Sequence, residues 1–247
     1  MRKITFFTTI PGMEEAYPII EAKDYKPDWV EGARKMYLRK LEQSQGKQFV
    51  DVYRCPGIFD LMSTGYIVPM PWDVMIETNG DMENFKWTIP SESLAEKYGG
   101  HLVSGHMANE IAAPFPPRPG CLRSIIKFNT PWHIIAPPGV KFMAIPIPYG
   151  DDFAFEHNMG ILDPSLSTEI NPQVWWKVLN DRFLLKAGTP ILQLIPMTDE
   201  KFKMEVVVGD QKAHSWLKRR EYFFSLSFNF KRNLMKAMYL KHWFGIK

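Results

Sequence analysis

Asp163 is the residue whose type and surroundings point most directly to chemistry. It stands in Gly160-Ile161-Leu162-Asp163-Pro164, a tight corner between apolar runs. A carboxylate held there could orient a water for hydrolysis, as a general base does. The same residues also make an Asp-Pro turn in which the carboxylate caps its own backbone, and locally the turn is the stronger reading. The six histidines raise a second chemistry, metal binding. His101 and His106 lie five apart with Glu110 nearby, whereas zinc helices place histidines at i and i+4 and non-haem iron sites use His-x-Asp or His-x-Glu on a strand. His157 sits near Asp151, Asp152, Glu156 and Asp163, a cluster that reads equally as a polar loop before a strand. Trp175-Trp176 offers a third chemistry, stacking on a base or ring, although such a pair also supplies one core and one surface residue.

Several chemistries are excluded. There is no GxxxxGK loop for a P-loop nucleotidase and no GxSxG nucleophile elbow. The two cysteines, Cys55 and Cys121, form no CxxC pair, which argues against a disulfide framework and for a reducing compartment. No cofactor is specified. The 247 residues are 45% hydrophobic and 23% charged, ordinary for a soluble globular chain. The net charge of +3 is unevenly spread: residues 211–247 carry nine Lys or Arg and one Glu, a net +8, and the preceding body is mildly acidic. The start, MRKITFFTTIPGMEE, is too short an apolar run for a signal peptide, and no stretch approaches the roughly 18 apolar residues of a membrane helix.

The elements that must position these residues are mostly strands. Twenty prolines spread between short apolar runs favour a sheet protein with many turns over a helical bundle. Residues 3–9 predict a first strand. Residues 28–45 predict a helix capped by Asp28, with Trp29, Val30, Ala33, Met36, Tyr37 and Leu41 on one face. Residues 49–53 predict a short strand, and 55–65 a compact helical turn ended by Gly65. Residues 66–78 predict one edge or bent strand, interrupted by Pro69 and Pro71, with a turn at Asn79-Gly80 leading to a partner at 85–89. Ser93 and Glu96 are spaced like a capping box. The Pro-rich segment 114–120 is linker-like. Strands follow at 123–128, 133–135, 140–147, 183–186, 191–195 and 202–208, with Pro137-Pro138-Gly139 and Gly188 at turns. The basic tail has helical spacing after residue 233. It suits nucleic acid or an acidic partner, or an amphipathic helix packed on the body.

Two resemblances enter on particular motifs. YRCPGIFDLMSTGYIVPMPWDV, IKFNTPWHIIAPPG, GILDP and KAGTPILQLIP, in that order, resemble an uncharacterised family from marine tailed phages and some bacteria. That resemblance implies a phage or bacterial origin and carries no activity. GILDPSLSTEI followed by AGTPILQLIP is similar to the third and fourth motifs of the trimeric dUTPases and dCTP deaminases, which have a β-clip fold. By that resemblance Asp163 matches the water-orienting aspartate, and Gly188 and Gln193 match the closing strand. The upstream Arg-Ser-Gly segment is missing, Ser165 stands where an aromatic is usual, and a basic tail replaces the Gly-rich arm.

The expected fold is therefore mainly β, a single β-clip-like or jelly-roll-like sheet domain over 1–210, with an internal boundary allowed at 114–120. An N-terminal helix and a basic helical tail at 211–247 complete it. The leading expectation for function is a non-catalytic phage-related structural or interaction protein, in the host cytoplasm or virion, with a homo-oligomer or a tail-bound partner. The alternatives are a degenerate dUTPase-like nucleotide-binding protein or hydrolase using Asp163 with Trp175, Trp176 and Gln193, and a metal-dependent oxygenase on a jelly roll using His101, His106 or His157.

Overall fold

In the computed structural model, residues 1–47, 49, 51–89, 102–111, 116, 118–150, 154–221 and 228–246 are described. Their strands are β1 (Lys3–Thr8), β2 (Ile20–Glu21), β3 (Tyr66–Pro69), β4 (Val74–Thr78), β5 (Phe85–Thr88), β6 (Val103–His106), β7 (Ile125–Phe128), β8 (Trp132–Ile135), β9 (Phe142–Ile145), β10 (Phe155–His157), β11 (Gly160–Leu162), β12 (Gln173–Trp176), β13 (Arg182–Leu185), β14 (Pro190–Pro196) and β15 (Lys203–Val208). The helices are α1 (Met13–Ala16), α2 (Asp28–Gln43), α3 (Pro56–Ser63), α4 (Ala108–Ile111), α5 (Gln211–Glu221) and α6 (Phe228–Phe244). The protein is mainly β, as expected. Its strands are distributed over four hydrogen-bonded sheets, in the orders β15-β1-β8, β11-β9-β14-β3-β2, β13-β4-β5 and β10-β12-β7-β6.

The sheets share two cores. Ile4 and Phe6 of β1, Trp132 and Ile134 of β8, Val68 of β3, Phe142 of β9, and Leu192 and Leu194 of β14 are buried together between the first two sheets. Val74 and Ile76 of β4, Leu185 of β13, Ile126 and Phe128 of β7, and Val174 and Trp176 of β12 are buried together between the other two. Each buried aliphatic or aromatic side chain adds roughly 1.5–3 kcal/mol relative to exposure. The period-2 burial of β4 is what an apolar face on a core and a wetter face outside require.

The chain crosses repeatedly between the two cores, and prolines mark one crossing. The single bent strand expected over 66–78 is two strands in two sheets, because Pro69 and Pro71 remove ladder donors at the junction. The turn at Asn79-Gly80 does return the chain as a hairpin, with Met75 opposite Thr88. The expected strand at 49–53 gives way to a 3-10 turn at Val52–Arg54, where the Asp51 carboxylate accepts from the Tyr53 N–H at 2.9 Å. Such local capping competes with extended pairing. In α2, Asp28 is the first helical residue and Pro27 the N-cap, with no side-chain cap. Gly65, with φ +87°, has no room for a side chain, since a Cβ there would lie 2.1 Å from the Leu194 carbonyl oxygen. The capping box at 93–96 and most of the Pro-rich segment 114–120 fall outside the described residues.

The tail folds onto the body as two helices. Tyr239 donates its hydroxyl to the Ala136 carbonyl at 2.8 Å and accepts from the Ala136 N–H at 2.9 Å. Trp216 donates Nε1 to the Thr168 hydroxyl at 3.3 Å and meets the Tyr239 ring edge-on. Burial and the Asp163 charge raise the Tyr239 phenol above its usual range, against the opposing pull of its bond to Ala136. These aromatics are buried on the first sheet, and Lys212 lies over the Trp243 ring at 5.3 Å. No helix of the described residues is long and apolar enough to cross a membrane.

Candidate functional site

The Asp163 corner follows β11, the edge strand of the second sheet. Its Oδ1 accepts from the Ser165 N–H at 3.0 Å and from the Ser165 hydroxyl at 2.5 Å. Its Oδ2 lies 3.4 Å from the Lys141 ammonium. The Asp163 carbonyl accepts from the N–H groups of Leu166 and Ser167, closing the turn. Both carboxylate oxygens therefore have protein partners, in the Asp-turn arrangement that Asp-Pro sequences favour.

The other residues named for a nucleotide site lie in different surroundings. Gln193, 1% exposed, donates Nε2 to the carbonyls of Leu61 and Thr64 at 2.7 and 2.6 Å, and so fastens the end of α3 to the second sheet. Trp176 is buried in the second core, stacked on Phe155 at 6.4 Å and meeting Phe183 edge-on at 5.8 Å. Trp175 faces the other side of β12, packed with Cys121 and Ile125. Burial is also the main cause that pushes the Cys121 thiol up. The structure thus puts Trp175 and Trp176 on opposite faces of the fourth sheet, and Asp163 after an edge strand of the second.

Of the histidines, His101 lies outside the described residues. His106 is exposed, with Nδ1 3.4 Å from Glu110 one helical turn on. Among the described residues no group of three His, Cys, Asp or Glu side chains is gathered as a metal site would need. His157 is the distinctive one. It ends β10 opposite Val174, is 6% exposed, and its Nδ1 has no hydrogen-bond partner among the described residues. Desolvation lowers its pKa from 6.5 to about 4, so the ring is neutral at physiological pH and offers one donor and one acceptor.

His157 lines the largest of the cavities described, about 950 Å³, at the outer edge of the fourth sheet. Phe155, Val178, Phe183, Ile147 and Ile191 supply apolar wall, and Lys26, Asp28, Glu156, Lys177 and Thr189 supply polar groups. Glu156 is bound by Arg118 and lies 3.2 Å from the Lys177 ammonium. The first turn of α2 closes one side: Pro27 and Asp28 line the cavity, and the Trp29 indole donates to the Tyr149 carbonyl at 2.7 Å. A mostly apolar hollow with a few polar groups is the usual form of a small-molecule site. Sequence reasoning found His157 but missed its setting, because the walls come from five separate stretches of chain whose proximity only the fold creates.

No family model matches this sequence, and a search of curated proteins returns no match. Among solved structures, the native EIAV dUTPase is similar over 60% of this chain and 84% of its own, at 14% identity and a TM-score of 0.29. A likeness that weak carries no inference about activity.

Proposed function

We propose that this chain is a non-catalytic structural or interaction protein, phage-related in setting, acting in the host cytoplasm or the virion. The observation that carries this is the engagement of Asp163. A general base needs a lone pair facing its water, and both oxygens of this carboxylate already meet Ser165 and Lys141. The order of motifs shared with marine-phage proteins supports the setting. A β-clip-like or jelly-roll-like description of the sheets belongs to the same reading.

An interaction role is supported by the outer face of the second sheet. Ile161, Met143 and Ile195 form a cross-strand row there, with Ile161 and Met143 62% and 42% exposed. Met159 and Met197 extend it. The neighbouring part of this face is covered where Gln193 holds α3; the row itself is open. Apolar sheet faces call for a second layer, and methionine-rich surfaces adapt readily to a partner. β11 is also an edge strand, whose outward backbone groups can template pairing. A second copy fits best: antiparallel β11 pairing about a two-fold puts Ile161 opposite itself, with no charge between Asn158 and Leu162.

Light scattering on the purified chain should give a dimer or larger, and Ile161→Lys should give a monomer with unchanged circular dichroism. A wild-type monomer at high concentration overturns the self-association. A thermal shift with a pyrimidine nucleotide that Asp163→Asn removes overturns the non-catalytic reading. Mass spectrometry of phage particles that contain the chain supports the virion setting; its absence from particles and infected cells alike counts against it.

A further inference from the structure

We infer that the cavity beside β10 binds an organic monoanion with an apolar, ring-sized body. The inference is independent of self-association and does not use the β11 face. Its size comes first: about 950 Å³ lies at the upper end of small-molecule sites, which run roughly 300–1,000 Å³. The apolar body follows from Phe155, Phe183, Ile147 and Ile191, with Trp176 fixed behind Phe155 and Phe183 so that this wall is rigid.

The single negative charge follows from the polar groups. Glu156 is already neutralised by Arg118 and Lys177. Lys26 forms no ion pair among the described residues and stands at the rim. Beside it is the N-terminus of α2, a 16-residue helix with no side-chain cap, where the N–H groups of Asp28 and Trp29 donate to nothing among the described residues. Uncapped helix N-termini attract anions. Asp28 opposes this charge at the rim, which leaves room for one negative group and not several. An independent observation is His157: a buried ring nitrogen without a partner costs about 1–3 kcal/mol, and a ligand seated on this wall supplies the missing bond.

The test is fluorescence titration of the full chain with anilinonaphthalene sulfonate, alongside its uncharged relative phenylnaphthylamine. Three variants separate the contributions: Lys26→Glu at the rim, His157→Phe in the wall, and Met36→Lys on the exposed apolar face of α2, where a dye could otherwise lodge. We expect saturable binding of one sulfonate per wild-type chain. Lys26→Glu should weaken the sulfonate about tenfold and leave the uncharged dye unchanged. His157→Phe should weaken both about fivefold, because both carry the same N–H. Met36→Lys should change neither. The inference is overturned if wild type shows no saturable binding, if Lys26→Glu affects both dyes alike or neither, or if Met36→Lys abolishes the signal.

Discussion

Asp163 and His157 stand on either side of β11 and have opposite hydrogen-bonding states. Asp163 is the residue whose sequence context looked reactive, and its carboxylate is fully engaged with Ser165 and Lys141. His157 had the blander context, and it is the one left with an unpartnered nitrogen in a nearly dry wall. A carboxylate at a turn finds N–H groups two residues away in its own chain, so local sequence suffices to satisfy it. A ring at the end of an edge strand depends on whatever the fold brings near, and here the fold brings apolar groups and a hollow. Residue type names what a side chain can do; the count of its remaining partners decides whether it is free to do it.

The strongest way to break this contrast is to remove the wall behind His157. Trp176→Ala should cost about 3–5 kcal/mol by equilibrium denaturation, since it empties the second core next to Phe155 and Phe183. A loss under about 1 kcal/mol would mean that this wall is not packed as described.

Acid should then sharpen the contrast. The His157 pKa is lowered to about 4 in the folded chain, against 6.5 unfolded, because burial disfavours the imidazolium. Between those values the unfolded chain binds more protons, so stability falls as pH drops from 6.5 towards 4, by about 3 kcal/mol in all. Asp51, Glu200 and Glu205, whose pKa values are lowered mainly by bonds to Lys40, Arg2 and Lys3, lose their contributions at lower pH. His157→Phe should flatten the 4–6.5 window; an unchanged slope would assign it to another group.

The smallest effect is at the corner. Asp163→Ala should cost about 1–3 kcal/mol, because the Ser165 donors lose their acceptor. Asp163→Asn keeps one oxygen and loses only the half-exposed Lys141 pair, so its cost should stay below about 1 kcal/mol. Equal losses in the two variants would place the charge, not the turn, at the centre of this corner.

Strand content was readable because alternation and proline breaks are local. The hairpin at Asn79-Gly80 and strands β1, β8, β13, β14 and β15 lie where short-range patterning puts them. The assignment of β3 and β4 to separate sheets was not readable, since Pro69 and Pro71 show that a strand stops without showing which neighbour the next one finds. The same limit applied to the site. The Asp turn could be read from Asp-Pro, and the tail aromatics could be read as needing burial. The cavity could not, because Lys26, Ile147, His157, Lys177 and Ile191 share no sequence pattern. Gln193 was named through a resemblance, and its bonds to Leu61 and Thr64 could be found only from the placement of α3.

The parallel pairing of β1 with β15 has a consequence during synthesis. Lys3 lies opposite Lys203, and Thr5 bonds Glu205 across 200 positions of chain. A ribosome releases β1 first and its parallel neighbour nearly last, so Ile4 and Phe6 must wait, unsheltered on that side, until almost the whole polypeptide has emerged. β8 can shelter the other edge of β1 earlier, through Phe6 opposite Ile134. The nascent protein therefore depends on this antiparallel half-assembly, and chains arrested before residue 203 should be the ones that chaperones retain.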